Sequence, residues 1–565
     1  MRQTRRAGPS RRPEPLAPWV AALAIGLACA APGQAQPAAG AAQAVEATPG
    51  VEATKTAEAA AQVPVRAFRI EGNTLLDEAQ LQAALQPWLG QRTLAELQKA
   101  ALAVQALYGQ AGWGAVVAYL PPQPVADGTV TISVLEGRIG RISVQGNQRQ
   151  SSERVLAALP TLAVGRTPQV RRIDAELQIA NENPARTIGL LLGPGTAPGL
   201  VDATVKVQER PVQRFTFALD NTGNEQTGKY RLGLGWLNAD LSGRDDVFIA
   251  QLQLSPTELK AVQVISAGYQ LPLVRDLAAV SLYAAYSDVD GGIQPTAAGD
   301  LRFAGKGNIV GGRGILYLPR WGEFDQRLTG ALERRAYLND CSVEGLPEGA
   351  CGPSGESVVV QPLSLEYAAQ TGGAVPAALN IALAHNLAFD GGHSSQADFD
   401  AARPGASRNY SVLRAGAVIS LPVAEDWALG GRLALQRTTD LLVQGEQFGL
   451  GGIATVRGYG ERELAGDQGI SASLELVTPR LGLAEQAPGV DLRGVAFADG
   501  GQVANHGDLA CLPQQTRCTL ASLGVGLRLD WGPVQGRLYV AQAQRDGNGT
   551  RAGDWRTQFT VTANY

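Results

Sequence analysis

Hydrophobic and polar positions follow two different periods along this chain, and the change falls near residue 211. Before it, apolar residues recur at helical spacing, as Leu97, Val104 and Tyr108 do on one face of a single helix. After it, strand-like runs of about ten residues alternate with clusters of turn residues. The pattern predicts an N-terminal region of helices and strands, followed by a long region made of strands alone.

The N-terminal region contains an internal repeat. Phe68–Asn73 reads as a strand that ends in a turn, and Ile142–Asn147 repeats it. Thr131–Glu136 is repeated in the same way by Thr204–Glu209. The repeat predicts two related structural units, one after the other.

Two helices are predicted inside each unit. In the first unit, Thr93 and Glu96 have the spacing of a capping box at the start of the longer helix. The other helices are predicted at Asp77–Leu89, Ser151–Leu159 and Val170–Asn181. Each unit thus has the order β-α-α-β-β, over residues 63–137 and 138–211. A mixed sheet with helices on one face leaves an edge strand open, which can pair with a strand of another chain.

Residues 212–565 often alternate apolar with polar or small residues inside each strand-like run. Around Gln535–Ala541, Leu538 points to one side, and Arg537 and Tyr539 point to the other. In an exported protein, such strands suit a barrel with lipid outside and water inside. At roughly ten residues per strand plus turns and loops, the region has room for about 16 strands. A soluble β-sandwich or propeller is the alternative, but no repeat of blade length is visible.

The first residues carry the marks of export. Several arginines precede an uncharged run, and Gly33-Gln34-Ala35 offers a small-x-small cleavage site. Residues 1–35 are therefore predicted to be a secretory signal peptide, with an uncleaved anchor as the alternative. Residues 36–62 have the composition of a linker, for which disorder is expected and a short helix at Val51–Ala61 is the alternative.

Composition narrows the function further. The net charge is −4 and no basic cluster follows the first residues, which argues against nucleic-acid binding. The three histidines are scattered and no enzyme or phosphate-binding motif is present, so no metal, cofactor or catalytic residue is predicted. Two cysteine pairs close in sequence, Cys341–Cys351 and Cys511–Cys518, are predicted to form loop disulfides in an oxidising compartment.

One charge in the strand region lies in an unusual setting. Arg457 belongs to Gly451–Gly460, a glycine-rich stretch that suits a loop folded back on itself. An arginine on a loop inside a polar lumen needs a partner, because a buried unpaired charge is costly. Asp499 is the predicted partner, since a guanidinium matches a carboxylate and Gly500 and Gly501 leave room beside it. The alternative is a surface turn charge and an unrelated acidic residue.

These two segments resemble the signature motifs of the outer-membrane β-barrels that secrete or insert other proteins. Val456-Arg457-Gly458-Tyr459 is similar to the Val-Arg-Gly-aromatic tip motif of that superfamily, and Phe497-x-Asp499-x-Gly501 is similar to its strand motif. In the superfamily, the arginine and the aspartate form a lock between an inward-folded loop and the barrel wall. The resemblance therefore implies the same role for Arg457 and Asp499.

Further features resemble the same proteins. The β-α-α-β-β units resemble polypeptide-transport-associated (POTRA) domains. The last strand, Trp555–Tyr565, carries Phe559 and ends in Tyr565, which resembles the signal that barrel-assembly machinery recognises. Two POTRA-like units, together with Asp220-Asn221-Thr222-Gly223, resemble the two-partner secretion branch, which exports haemolysins and filamentous adhesins.

The resemblance implies a mainly β protein in the bacterial outer membrane, with two POTRA-like domains in the periplasm and a C-terminal barrel. Its implied partners are an exported polypeptide, outer-membrane lipid and the barrel-assembly machinery, and a monomer is expected. Relatives often have a pore-plugging helix near the N-terminus, for which residues 36–62 are only weakly amphipathic. An assembly factor for other outer-membrane proteins is the first alternative function, and a solute porin is the second.

Overall fold

The computed structural model describes residues 62–125, 127–223, 228–257, 263–296, 299–338, 356–387, 389–482 and 489–565. These residues form two compact units. The first unit contains residues 62–181 and Arg186–Glu209, and the second contains Glu182–Ala185 and Arg210–Tyr565. The predicted signal peptide, residues 36–61 of the linker and the predicted Cys341–Cys351 disulfide lie outside the described residues.

The first unit begins with two sheets and two helices. Its elements are β1 Gln62–Val65, β2 Ala67–Glu71, α1 Glu78–Leu85, β3 Gly90–Thr93, α2 Leu94–Gln110, β4 Val116–Tyr119 and β5 Thr129–Glu136. The main sheet has the order β2-β5-β4, with β2 parallel and β4 antiparallel to β5. The capping box of Thr93 and Glu96 is confirmed at the start of α2.

Two details of this half differ from the prediction. The first helix ends at Leu85 and continues as a short 3₁₀ turn, because Pro87 lacks the N–H group that an α-helix requires. β1 begins at Gln62, the last residue of the predicted linker, and pairs with β3 in a two-stranded ribbon that was not predicted.

The second half of the unit repeats the first. Its elements are β6 Arg138–Gln145, α3 Ser152–Ala157, α4 Val170–Glu182, β7 Arg186–Pro194 and β8 Leu200–Glu209. The sheet has the order β6-β8-β7, again with one parallel and one antiparallel pair. The predicted order β-α-α-β-β is therefore present in both halves. Each half has its own apolar core.

The sequence repeat corresponds to a repeated turn. Gly72 and Gly146 follow the first strand of each half and adopt φ angles of +86° and +87°. A Cβ atom at either position would overlap a backbone carbonyl oxygen of the neighbouring strand, that of Val134 or Val207. Only glycine fits both the conformation and the space, which explains why it recurs.

The second unit is a closed barrel. Its strands are β9 Gln213–Asp220, β10 Arg231–Asn238, β11 Val247–Leu254, β12 Gln263–Leu273, β13 Ala278–Thr296, β14 Gly299–Trp321, β15 Phe324–Tyr337, β16 Val358–Val360, β17 Pro362–Thr371, β18 Ala377–Asn386, β19 Ser411–Pro422, β20 Ala428–Arg437, β21 Phe448–Leu450, β22 Leu464–Gly466, β23 Gln468–Arg480, β24 Val490–Ala504, β25 Arg517–Trp531, β26 Val534–Ala543 and β27 Trp555–Asn564. The short strands β21 and β22 form a separate hairpin. With β16 and β17 counted as one interrupted strand, the other strands close into a barrel of 16, which confirms the predicted fold class.

The two faces of the barrel wall differ in polarity. Along β23, Ile470 and Leu474 are exposed, whereas Ser473 and Glu475 between and beside them are buried. An apolar outer face suits contact with lipid, and a polar inner face suits a lumen. Within the described ranges, no helix is both long and apolar enough to span a membrane.

The two ends of the barrel also differ. Two-residue turns join β14 to β15 and β25 to β26 at one end, and longer connections such as those after β18 and β20 lie at the other end, as expected for the extracellular side. The connection between β18 and β19 contains α5, Gln396–Ala402. The connection between β20 and β23, residues 438–467, contains the β21–β22 hairpin and carries the predicted site.

Candidate functional site

The site is built around residues 451–463, which join β21 to β22 and are called the tip loop below. Gly451, Gly452 and Gly458 adopt φ angles of +109°, +99° and +91°, which allow the chain to fold back on itself. Arg457 and Tyr459 of the tip loop are 1% and 0% exposed. The tip loop is therefore packed inside the lumen, against the inner face of the wall.

The structure brings Arg457 and Asp499 together. The side chain of Arg457 donates two hydrogen bonds to the carboxylate, from Nε to Oδ2 at 2.7 Å and from Nη2 to Oδ1 at 2.8 Å. The backbone N–H of Arg457 donates a third, to Oδ2 at 3.0 Å. Both side chains are buried, so this is a two-pronged ion pair shielded from water.

Further polar partners surround the guanidinium. Nη1 of Arg457 donates to Glu475 at 2.6 Å, and Nη2 donates to Ser473 at 3.0 Å. Arg528 on β25 donates to the other oxygen of Glu475 at 2.5 Å. The sequence reasoning missed these partners. The alternation of residues along β23 could have indicated them, because it places Ser473 and Glu475 on the face of the strand that points into the lumen.

Aromatic rings complete the pocket of Arg457. The guanidinium carbon lies 3.5 Å from the centre of the Phe497 ring and 4.8 Å from that of the Tyr539 ring. The two rings pack edge to face, with centroids 5.6 Å apart and planes at 88°. Cation–π attraction therefore adds to the ion pair in a setting with little water.

The other residues of the tip motif contact a different part of the wall. The backbone N–H of Gly458 donates to Gln558 on the last strand at 3.0 Å. The hydroxyl of Tyr459 lies 2.9 Å from the carbonyl oxygen of Ala521 and 2.8 Å from that of Arg545, to which it can donate. Val456 is fully buried in an apolar cluster with Leu450.

Gly501, the last residue of the strand motif, also serves the hairpin. A Cβ atom at Gly501 would overlap the side chain of Leu450 at the end of β21. Glycine thus allows the hairpin to lie close against β24. The strand motif as a whole supplies a ring, a carboxylate and an open space on one face of one strand.

The remaining predicted residues lie elsewhere. A disulfide joins Cys511, in the connection between β24 and β25, to Cys518 on β25, and Cys518 belongs to the apolar cluster that contains Val456. Phe559 packs near Tyr230, and the exposed Tyr565 packs near Phe217. Their role as an assembly signal stays a prediction. Among the residues that the structure describes, no group of His, Cys, Asp or Glu side chains is arranged to hold a metal ion.

Two family models match this chain. Residues 199–529, more than half of the sequence, match the model described as haemolysin secretion/activation protein ShlB/FhaC/HecB. Residues 63–137 match the model described as POTRA domain, ShlB-type.

Curated relatives include two kinds of transporter. The heme/hemopexin transporter protein HuxB of Haemophilus influenzae is 29% identical over 158 residues, which is 27% of this chain and 27% of the relative. The match thus spans about a quarter of that protein's length. The outer membrane transporter CdiB of Escherichia coli is 25% identical over 485 residues, which is 84% of this chain and 77% of the relative.

Solved structures show the same fold. CdiB from Escherichia coli superposes with a TM-score of 0.72 at 20% identity, covering 92% of this chain and 93% of that one. CdiB from Acinetobacter baumannii superposes with a TM-score of 0.65 at 18% identity, covering 90% and 91%. The barrel and the N-terminal domains of this chain therefore have the architecture of solved CdiB structures.

Proposed function

Because this chain belongs to the haemolysin secretion/activation family ShlB/FhaC/HecB, we propose that it transports one large exported polypeptide across the outer membrane by two-partner secretion. The chain is an outer-membrane protein, and its POTRA domains lie in the periplasm. In this proposal, residues 63–137 and 138–211 capture the polypeptide, and residues 212–565 form its passage. The tip loop locked inside a closed barrel is the observation that carries the proposal.

Capture can use the open sheet edges of the POTRA domains. β4 is an edge strand of the first sheet and β7 is an edge strand of the second. Val117 and Tyr119 on β4 are also exposed. An unfolded segment can pair with such an edge through its backbone and place apolar side chains against exposed apolar residues. Backbone pairing tolerates many sequences, which suits a long substrate.

Passage requires the tip loop to move. It occupies the lumen and is held there by the ion pair of Arg457 with Asp499. The pair acts as a lock that keeps the tip against the wall until a substrate arrives. No catalytic step or cofactor enters this proposal, and folding of the substrate outside the cell provides the direction.

A gene deletion with complementation tests the function. We expect loss of one secreted polypeptide from the medium, normal amounts of other outer-membrane barrels, and recovery when the intact gene is restored. General depletion of outer-membrane barrels would instead show that the protein is an assembly factor. Unchanged secretion together with reduced uptake of small solutes would show that it is a porin.

A further inference from the structure

A second group of charges holds the stem of the same connection, residues 438–447, before it reaches the tip loop. Glu446 is 2% exposed and accepts hydrogen bonds from two strands of the wall, β15 and β19. Arg335 Nη1 and the hydroxyl of Tyr337 donate to its Oε1 at 2.8 Å and 2.7 Å. Arg414 Nη2 donates to its Oε2 at 2.9 Å. One carboxylate thus joins the stem to two barrel strands.

Two further contacts hold the stem at Glu446. Gln436 donates from its side-chain amide to the carbonyl oxygen of Glu446 at 2.9 Å. The ring of Tyr337 lies so close to Gly445 that a Cβ atom there would overlap it. Packing and hydrogen bonds therefore press the stem against the wall at the position where the charges meet.

The two anchored points lie on different strands of the barrel. Counted from β9, the strands that hold Glu446 are the seventh, β15, and the tenth, β19, whereas Asp499 lies on the thirteenth, β24. The tip is therefore held three strands away from one partner strand of Glu446 and six strands away from the other. Tyr337 is the last residue of β15, at the extracellular end, whereas Asp499 lies in the interior of β24. The connection therefore runs inward, from the outer rim where Glu446 is held to the middle of β24 where Arg457 is held.

We propose that Glu446 is a second latch on this connection, and that the lumen opens fully only when Glu446 and Arg457 have both left the wall. This inference rests on the proposed function for its biological meaning, but its geometry does not depend on the identity of the substrate. Release of the tip alone leaves the stem tied to β15 and β19. Release of Glu446 alone separates its carboxylate from Arg414 and from Arg335, which keeps its pair with Glu333, and the loss of these contacts opposes opening.

Conductance of the purified full-length protein in planar lipid bilayers tests the second latch. The variants are Glu446→Gln, Arg457→Ala and both together. Glutamine keeps the size of the side chain but removes its charge, which weakens the bonds from Arg335 and Arg414. We expect Glu446→Gln to raise the frequency of large openings roughly tenfold, because a lost charge-assisted hydrogen bond shifts an equilibrium by about that factor. The double variant should open more often than either single variant.

Glu366→Gln is the matched control. Glu366 lies on the inner face of β17, whereas its neighbours Leu363 and Leu365 face outward. Among the described contacts, Glu366 shares no hydrogen bond with residues 438–467. The conductance of the Glu366→Gln variant should equal that of the unchanged protein. Equal opening frequencies for Glu446→Gln and the unchanged protein would overturn the second latch, and so would a double variant that behaves like Arg457→Ala alone.

A second wall variant covers the case in which Glu446→Gln does not assemble, which is checked by heat-modifiable migration on gels. Arg414→Gln removes the partner of Glu446 on β19 and should also raise the opening frequency. In a protein that already carries Arg414→Gln, the further change Glu446→Gln should raise the frequency by less than it does in the unchanged protein. Export is measured separately in cells. If the variants leave the conductance unchanged while the cells still export the polypeptide, the second latch is wrong and the proposed function stands. If the variants change the conductance clearly but the intact protein exports no polypeptide, the proposed function is wrong and the second latch stands.

Discussion

Phe497 and Asp499 bind the same guanidinium from one face of one strand: Asp499 pairs with Arg457 at 2.7 Å, and the Phe497 ring centre lies 3.5 Å from its central carbon. Residues two apart on a strand point to the same side, so the spacing Phe-x-Asp places a ring and a carboxylate under one cation. Gly501 continues the same spacing and admits Leu450 of the hairpin. The strand motif is therefore a docking surface for the tip loop.

The shape of the Arg457 side chain should matter as much as its charge. Arg457→Lys keeps the charge but cannot bind Asp499 with two parallel hydrogen bonds or reach Glu475 and Ser473 as well. Breaking such a buried pair costs roughly 3–5 kcal/mol locally, so we expect strongly reduced export from a barrel that still assembles. The measurement is secreted polypeptide per assembled barrel. Arg437→Lys, at an exposed position on β20, is the control, and normal export by Arg457→Lys would contradict a lock that depends on geometry.

The Phe497 ring should stabilise the docked tip loop less than the ion pair of Arg457 with Asp499 does. Phe497→Leu keeps an apolar side chain and leaves Asp499 in place, but it removes the cation–π contact, which is worth about 1–2 kcal/mol in a dry setting. Export and tip-loop docking should therefore weaken less than in Arg457→Ala. If Phe497→Leu were as damaging as Arg457→Ala, the ion pair would not be the main contact.

Short sequence segments were sufficient to predict which strand residues face the lumen and that Arg457 pairs with Asp499. It was not sufficient for Ser473, which lies opposite Asp499 only because of the register between β23 and β24. Register depends on how every strand pairs around the closed barrel, and no short segment records it. Glu446 was missed for the same reason, since its partners are 111 and 32 residues away.

Strand ends were also hard to predict. The pattern predicts strands of about ten residues, whereas β13 has 19, extends to Thr296 and pairs with β14 over that added length. Residues 288–296 are rich in Asp and Gly, which usually indicate a turn. Pairing with a long neighbouring strand overrides that preference, because each added residue gains backbone hydrogen bonds.

The disulfide should stabilise one loop rather than the whole barrel. Cys511 and Cys518 are seven residues apart, and closing so short a loop is worth about 2–3 kcal/mol by the chain-entropy estimate. Cys518 is buried beside Val456, so we expect Cys511→Ala with Cys518→Ala to increase proteolysis of the β24–β25 connection and to loosen the tip loop modestly. Limited proteolysis of the assembled barrel measures this. An unchanged cleavage pattern would show that the bond is not needed to hold the connection.

The repeated glutamates of the POTRA domains give a prediction about pH. Glu136 accepts hydrogen bonds from the backbone of Thr74 at 2.7 Å and of Leu75 at 3.0 Å. Glu209 occupies the equivalent position and accepts from the backbone of Arg149 at 2.7 Å and of Gln150 at 2.9 Å. Burial alone would raise the pKa of either carboxyl, but these hydrogen bonds outweigh it and lower the pKa of both.

A carboxyl whose pKa is lower in the folded state stabilises the fold above its unfolded pKa of about 4.3 and loses that contribution as the pH falls. In a fragment of residues 62–211, which holds both POTRA cores, Glu136→Gln should lower the free energy of unfolding by about 1–2 kcal/mol at pH 7. The difference should shrink towards pH 3, because the unchanged carboxyl is then protonated as well. Urea unfolding at the two pH values measures this, with the exposed Glu71→Gln as control. A difference that is the same at both pH values would show that the charge of Glu136 does not hold the turn.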